Sequence, residues 1–205
     1  MGGDKTKIIQ FPKAEKEEYD EIFTLDESGD TKGALQCARK LIDEGYSGAY
    51  GVAGYFYERG GNGVEVNYDN AFFYYQKCIE DFGAVESYLA LGRMYYFGKG
   101  VEPDFEAAFK YYEIVREDVE HPVAYLNLGK MYQNGDYVDK DYNKAEEYFL
   151  KAYEKSNILG LTYKALLEKE RGNFLKSILL RIKAGFQASF TAIKEPDNDS
   201  YVRRW

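Results

Sequence analysis

Hydrophobic residues recur along most of the chain at intervals of three and four, the spacing of an amphipathic helix. One stripe consists of Tyr88, Leu91, Gly92 and Tyr95, and the next of Phe105, Ala108, Tyr112 and Val115. Between the two stripes, Gly98 and Gly100 interrupt the helical pattern, and Asp104 stands where the N-cap of a new helix is expected. The pattern therefore predicts two helices joined by a short loop.

This two-helix pattern is repeated at a nearly constant interval. The glycines Gly54, Gly92 and Gly129 align 38 and 37 residues apart, and the alanines Ala71, Ala108 and Ala145 align 37 apart. Constant spacing of this kind indicates an internal repeat. Because a glycine inside a helix costs roughly 1 kcal/mol relative to alanine, its recurrence predicts that the two helices of each pair approach closely there.

Shorter versions of the pattern flank the three full copies. The interval between the small or apolar marker positions is 12 residues from Ile22 to Ala34 and again from Leu166 to Ile178, against 16 or 17 in the full copies. Terminal repeats are expected to be atypical because they cover the ends of a stack. We therefore predict five helix pairs, at about 14–43, 47–81, 84–118, 121–155 and 158–190.

The predicted organisation follows from these pairs. It comprises a disordered N-terminal segment (1–12), a degenerate N-terminal repeat (13–46), three full repeats (47–155), a degenerate C-terminal repeat with capping helices (156–190) and a tail (191–205).

The full copies resemble a known repeat family. The segments "AGYFYERGGNGVEVNYDNAFFYYQKC", "LGRMYYFGKGVEPDFEAAFKYYEIV" and "LGKMYQNGDYVDKDYNKAEEYFLKA" are similar to the Sel-one-like repeat, a relative of the tetratricopeptide repeat. The resemblance implies an all-α fold, a right-handed α-solenoid of about five antiparallel helix pairs. It also implies a scaffold role in complex assembly, signalling or bacterial host interaction, without selecting one of these.

Composition narrows the possible functions. The formal net charge is −8, and residues 61–155 carry 18 acidic and 10 basic side chains, which argues against binding nucleic acid. Two cysteines without CxxC spacing, a single histidine (His121) and no calcium or phosphate-binding loop give no catalytic constellation, so we expect no enzyme, metal or cofactor. The absence of a signal peptide or a long apolar run predicts a cytoplasmic protein.

A partner-binding groove is predicted on the concave side, where the first helices of a solenoid lie. The stripe beside the packing stripe supplies the candidate residues Tyr55, Arg59, Arg93, Tyr96, Phe97, Lys130, Gln133 and Asn134. Aromatic and arginine side chains are the types that anchor interfaces. The alternative is that these residues are ordinary exposed positions, some of them packed on the neighbouring pair.

A second candidate surface lies in residues 173–194. Its apolar stripe consists of Leu175, Ile178, Leu179, Ile182 and Phe186, with Lys176, Arg181, Lys183 and Lys194 making the segment basic. We expect this helix to cap the solenoid; a dimer contact or adsorption to an anionic membrane are the alternatives, and the membrane requires much of the apolar face to be exposed. Beyond it, Tyr201 and Trp205 flank an arginine pair in the tail.

Together these features predict a non-enzymatic scaffold or adaptor that binds a protein or peptide partner through its first helices. An inhibitory partner, such as an immunity protein, is one concrete form, and a membrane-peripheral or self-assembling structural protein is the alternative. The sequence does not specify the oligomeric state.

Overall fold

Helices account for nearly all of the regular structure. The computed structural model describes residues 16–194, and the side chains of residues 19–188. Its ten helices are α1 (Lys16–Glu27), α2 (Thr31–Asp43), α3 (Ala49–Arg59), α4 (Tyr68–Asp81), α5 (Val85–Phe97), α6 (Phe105–Val119), α7 (Pro122–Asn134), α8 (Tyr142–Glu154), α9 (Leu159–Glu170) and α10 (Phe174–Lys194). Within this range the chain forms no β-strand, only an isolated bridge between Gly61 and Val64. The predicted all-α fold of five helix pairs is confirmed.

The chain divides into two compact units after Asp118. In the first unit, α1 packs on α2, α2 on α3, α3 on α4 and α4 on α5. Gly92 of α5 lies against the ring of Tyr112 of α6. In the second unit, α7 packs on α8, α8 on α9 and α9 on α10, and α7 also contacts α9. Each unit is thus built from consecutive helix pairs. The predicted segments 1–12 and most of 191–205, with Tyr201 and Trp205, lie outside the described residues.

The repeated glycines lie where the two helices of a pair come closest. A Cβ atom added at Gly54, Gly92 or Gly129 would stand 2.9, 2.7 or 2.6 Å from the ring of Tyr75, Tyr112 or Phe149, respectively. The second-helix alanines Ala71, Ala108 and Ala145 are all fully buried. The close approach predicted from the sequence is therefore present in all three full repeats.

Tyrosines fill the space beside each glycine in a repeated arrangement. Three residues after the glycine, a first-helix tyrosine stacks on a second-helix tyrosine, with centroid separations of 5.4, 5.7 and 5.6 Å for the pairs Tyr57–Tyr74, Tyr95–Tyr111 and Tyr132–Tyr148. A second first-helix tyrosine, two turns before the stacked one, lies close to the same second-helix tyrosine in each repeat. These tyrosines are Tyr50, Tyr88 and Tyr125. This arrangement accounts for nine of the 21 tyrosines in the chain.

The helix ends follow the predicted signals. Gly98 ends α5 in the left-handed conformation with φ +65°, and Gly100 has φ +70°, so both loop positions use backbone angles that favour glycine. The Asp104 carboxylate accepts a hydrogen bond from the Ala107 backbone N–H (2.9 Å) at the start of α6. The loop and cap predicted from "FGKGVEPD" are confirmed.

The last helix pair keeps the predicted spacing but is shifted by one residue. The buried small positions, 12 residues apart, are Ala165 in α9 and Ser177 in α10, exposed by 0% and 5%. Leu166 and Ile178, which the sequence placed there, are exposed by 40% and 54%. The shift turns the predicted apolar stripe of α10 away from α9.

Candidate partner-binding surfaces

The first predicted cation, Arg59, links α3 to α1. Its guanidinium donates to both carboxylate oxygens of Asp26, with Nη2–Oδ1 at 2.5 Å and Nη1–Oδ2 at 3.1 Å. It also lies over the ring of Tyr55, 4.9 Å from the centroid, and donates to its hydroxyl. The hydrogen bond to Asp26 raises the pKa of Arg59. The cation is therefore fixed against the preceding first helix.

Arg93 links α5 to α3 in the same manner. Its Nε and Nη2 donate to Oε1 and Oε2 of Glu58 at 3.1 and 2.6 Å, a bidentate pair. The Tyr75 hydroxyl donates to the same carboxylate, and the Lys99 ammonium lies 3.9 Å from it. Burial acts to lower the pKa of Arg93, but the bond to Glu58 outweighs it and the pKa is raised.

In both pairs the carboxylate lies inside and the cation outside. The side chains of Asp26 and Glu58 are 9% and 10% exposed, whereas those of Arg59 and Arg93 are 37% and 43% exposed. The two arginines thus pack on the neighbouring pair and still present one edge to solvent. The sequence does not indicate that Asp26 and Glu58 pair with these arginines, because both stand among many other carboxylates of the same chain.

An exposed aromatic cluster lies next to Arg93. The ring of Tyr96 contacts Phe97 and Phe105, with centroids 4.9 and 5.2 Å apart. Phe97 and Phe105 are 62% and 41% exposed. The sequence predicts Phe105 in the packing stripe of its helix. It is instead the first residue of α6, directly after the capping residue Asp104, and it is not buried.

The three candidates of the second unit have different environments. The Lys130 ammonium lies 4.4 Å above the ring centroid of Tyr163 on α9. Gln133 is only 8% exposed and donates to Glu170 (2.8 Å), so its side chain belongs to the packing between first helices and not to an open surface. Asn134 is exposed and donates to Asp136.

A buried carboxylate joins the last two helices. Glu168 of α9 is fully buried and accepts hydrogen bonds from Asn173 and Lys176, both at 2.7 Å. Burial alone would raise its pKa, but these bonds lower it. Lys176, one of the basic residues noted in the sequence, is therefore a structural partner of α9.

The apolar stripe of α10 is open to solvent. Its five predicted members and Phe174 are 50–80% exposed, while Ser177 and Ala184 face the core at 5% and 6%. The helix α10 packs on α9, but the apolar stripe is not its buried side, which instead carries Ser177 and Ala184. No helix in the described range 16–194 is long and apolar enough to cross a membrane.

The residue types most often found in catalytic and metal sites have structural roles among the described residues. They contain no group of His, Cys, Asp and Glu side chains arranged to hold a metal ion. The imidazole of His121 caps α7, with Nδ1 accepting from the Val123 N–H. Burial raises the pKa of both thiols, Cys37 and Cys78, which favours their protonated and unreactive forms.

Comparison with known proteins agrees with this architecture. The Sel1 repeat family model matches residues 47–80, 85–114 and 122–157. A Sel1 repeat protein from Oxalobacter formigenes superposes with a TM-score of 0.70 at 21% identity, covering 87% of this chain and 75% of that one. No curated protein matches the chain by sequence.

Two further solved structures share the fold. The antigen c5321, described as a protective antigen of uropathogenic Escherichia coli strains with an SLR fold, gives a TM-score of 0.63 at 24% identity over 82% of this chain, which spans 41% of that longer protein. MamA gives 0.59 at 18% identity over 84% of this chain and 97% of its own. With three repeats recognised between residues 47 and 157 and the same helix-pair fold in these neighbours, the chain belongs to the Sel1 repeat family.

Proposed function

We propose that this chain is a non-enzymatic scaffold that binds a protein or peptide partner through the first-helix surface of residues 16–118. Sel1 repeat proteins are typically protein-interaction scaffolds. The observation that carries the proposal is the aromatic cluster of Tyr96 and Phe97 on the first helix α5 with Phe105 at the start of α6, one helical turn along α5 from Arg93. Aromatic and arginine side chains grouped in this way supply most of the binding energy in protein interfaces.

The charges around the cluster define the chemistry of the partner. Arg93 and Lys99 share the single carboxylate of Glu58, so the two cations outnumber the carboxylate that they contact. The rest of the chain is acidic, with a formal net charge of −8. We therefore infer a partner that places an acidic or carbonyl-rich group against Arg93 and Lys99 and carries basic residues around it. An inhibitory protein that covers a basic target is one form of this function.

The test is binding by variants that remove only exposed aromatic area. The Phe97→Ala/Phe105→Ala variant should weaken partner affinity by about thirtyfold, since hot-spot residues contribute ~2 kcal/mol or more. Phe73→Ala is the matched control, because Phe73 is 52% exposed on α4 of the same unit and is not one of the cluster residues. The partner is first captured from the native cell with tagged wild-type chain, and its affinity is then measured with purified components by calorimetry.

Unchanged affinity in the double variant, or equal weakening in Phe73→Ala, would contradict the proposed surface. Circular dichroism melts of all three proteins show whether each is folded. The proposal that the chain is a scaffold fails separately, if no partner is retained by the wild-type chain.

A further inference from the structure

The outward face of α10 carries six large apolar side chains that are exposed. It consists of Phe174, Leu175, Ile178, Leu179, Ile182 and Phe186, exposed by 62%, 80%, 54%, 67%, 50% and 74%, respectively. On a helix of ~100° per residue, these side chains span roughly 140° of the circumference, on the side opposite to the buried Ser177 and Ala184. We call this set the α10 face.

The repeat pattern does not explain the α10 face. In each full repeat the second helix buries two small or medium residues seven positions apart, such as Ala145 and Ala152 in α8, and Ser177 and Ala184 hold these positions in α10. In this register Leu175, Leu179 and Phe186 correspond to exposed polar residues of the earlier helices. Those are Asn143, Glu147 and Glu154 in α8, and Glu106, Lys110 and Glu117 in α6. Positions 175 and 186 are thus apolar only in α10 among these second helices, whereas position 179 is also apolar in α4, where Phe73 stands.

The size of the α10 face marks it as a contact surface. The largest apolar patch on an ordinary soluble monomer covers ~300–600 Å², and larger patches mark protein or membrane contacts. A fully exposed aromatic side chain presents ~150–250 Å² of surface. Six large side chains, each at least half exposed, therefore present together an apolar area near or above the upper end of that range. One further apolar side chain, Leu166 of α9, is 40% exposed.

The charges around the α10 face select the occupant. No Asp or Glu occurs from Phe174 to Lys194. Ideal helix geometry places Arg181 and Lys183 on opposite flanks, each about 100° from the centre of the face. A second copy packed on the same face would bring these flanks against their like-charged counterparts with no carboxylate on α10 to compensate. A single partner helix, whose apolar stripe is ~100° wide, would leave part of the face uncovered.

A bilayer with anionic lipids satisfies both requirements. Its acyl region covers a broad convex face along the whole length of a helix, and its headgroup phosphates meet cations at the flanks. We propose that α10 is an interfacial anchor that lies in the plane of an anionic membrane surface with the α10 face immersed. This inference does not depend on the proposed protein partner.

Vesicle co-sedimentation tests the anchor. Wild-type protein should sediment with vesicles of equal parts phosphatidylcholine and phosphatidylglycerol, and more weakly with phosphatidylcholine alone or at high salt. The variant Leu175→Asn/Leu179→Glu/Phe186→Glu gives α10 the residues that α8 carries at the same positions, so it should fold. Its partition coefficient between vesicles and water should fall by about a hundredfold or more, because each of the three replaced side chains contributes on the order of a tenfold factor to membrane binding.

The matched control is Phe73→Glu, at the α4 position equivalent to Leu179, where Phe73 is 52% exposed. It should sediment like the wild type, and Arg181→Glu/Lys183→Glu should lose the preference for anionic vesicles. Failure of the wild-type protein to sediment with either vesicle would overturn the proposal, as would equal binding by the triple variant. Sedimentation equilibrium showing a dimer that the triple variant abolishes would assign the face to a second copy instead.

Discussion

At the scale of single residues, the fold depends on glycines that leave room for an aromatic ring of the facing helix. Gly54, Gly92 and Gly129 each lie against an aromatic ring of the facing helix, so that a methyl group there would be 2.6–2.9 Å from ring carbons. Such a distance requires the ring or the helix to move, and the facing rings of Tyr75, Tyr112 and Phe149 have little room to do so because each is at most 4% exposed. The cost of glycine in the helix is thus offset by the packing that it permits.

Gly92→Ala should therefore destabilise the protein although alanine is the better helix former. We expect a loss of about 1–3 kcal/mol in the free energy of unfolding, the usual cost of overpacking, after a gain of up to ~1 kcal/mol in helix propensity. Urea unfolding followed by circular dichroism measures it. Gly185→Ala is the control, because no atom lies within 4 Å of a Cβ added there and only the propensity gain applies.

A Gly92→Ala protein as stable as the wild type would show that the two helices can separate without cost.

The glycine contact could be predicted from the sequence because its spacing repeats. The carboxylate partners of Arg59 and Arg93 could not, since they lie 33 and 35 residues earlier in the chain. Which of many carboxylates reaches a given arginine depends on the rotation between successive helix pairs, and no single sequence specifies that rotation.

At the scale of elements, four second helices begin with the same kind of cap. A side-chain oxygen of Asp30, Asn67, Asp104 or Asp141 accepts a hydrogen bond from a backbone N–H two or three residues later. Each cap satisfies one of the N–H groups that a helix start leaves without a partner, and Asp141 satisfies two. The caps therefore fix where each second helix begins after loops of different length.

Removing one cap should destabilise its helix by a modest and specific amount. Asp104→Ala should lower the free energy of unfolding by about 1 kcal/mol, because alanine cannot accept the Ala107 N–H. Asp104→Asn should retain nearly all of the stability, as Asn67 performs the same role in α4. Thermal melts of the two variants provide the measurement, and equal losses in both would show that charge, and not the cap, is what matters at position 104.

The last element shows the limit of pattern reading. The 12-residue spacing in the final helix pair was predicted correctly, but the register was wrong by one residue, because α10 carries apolar residues around most of its circumference. With leucine, isoleucine and phenylalanine on several sides, the most apolar stripe is not the buried one. Here the packing against α9 is decided by the small residues Ser177 and Ala184 instead.

At the scale of the whole molecule, the ionisable groups predict different responses of the two units to acid. In residues 119–194, burial works against the charged forms of Glu146 and Glu168, but bonds to Lys164, Arg171 and Lys176 prevail and lower both pKa values. In residues 16–118, burial raises the pKa of Glu86, whose Oε2 lies buried without a hydrogen-bond partner. The first two groups stabilise the ionised folded state, and the third favours protonation.

The signs follow from linkage. Carboxyl groups with lowered pKa values contribute stability above their usual 4.5 and lose it as the pH falls through the lowered values. A carboxyl with a raised pKa makes the folded state relatively more stable as the pH falls through that value. Acidification from neutral pH should therefore weaken residues 119–194 before residues 16–118.

Hydrogen exchange resolved by peptide mass spectrometry, corrected for the intrinsic pH dependence of exchange, measures both units in one sample. Peptides from α7 to α10 should lose protection at a higher pH than peptides from α1 to α5. Glu168→Gln should make the second unit less stable at neutral pH and reduce its further loss on acidification. Simultaneous loss across the chain, or earlier loss in the first unit, would contradict the assignment.

The inward position of Glu58 has a consequence for how this surface can change over evolutionary time. Its carboxylate is 10% exposed and both oxygens are held by Arg93. A change that removes the arginine alone leaves this poorly solvated charge with only the Tyr75 hydroxyl and the more distant Lys99 ammonium, so it is costly even where no ligand is affected. Positions 58 and 93 can therefore be substituted at low cost only together. A new binding specificity is reached more readily through Phe97, because its replacement leaves no charge uncompensated.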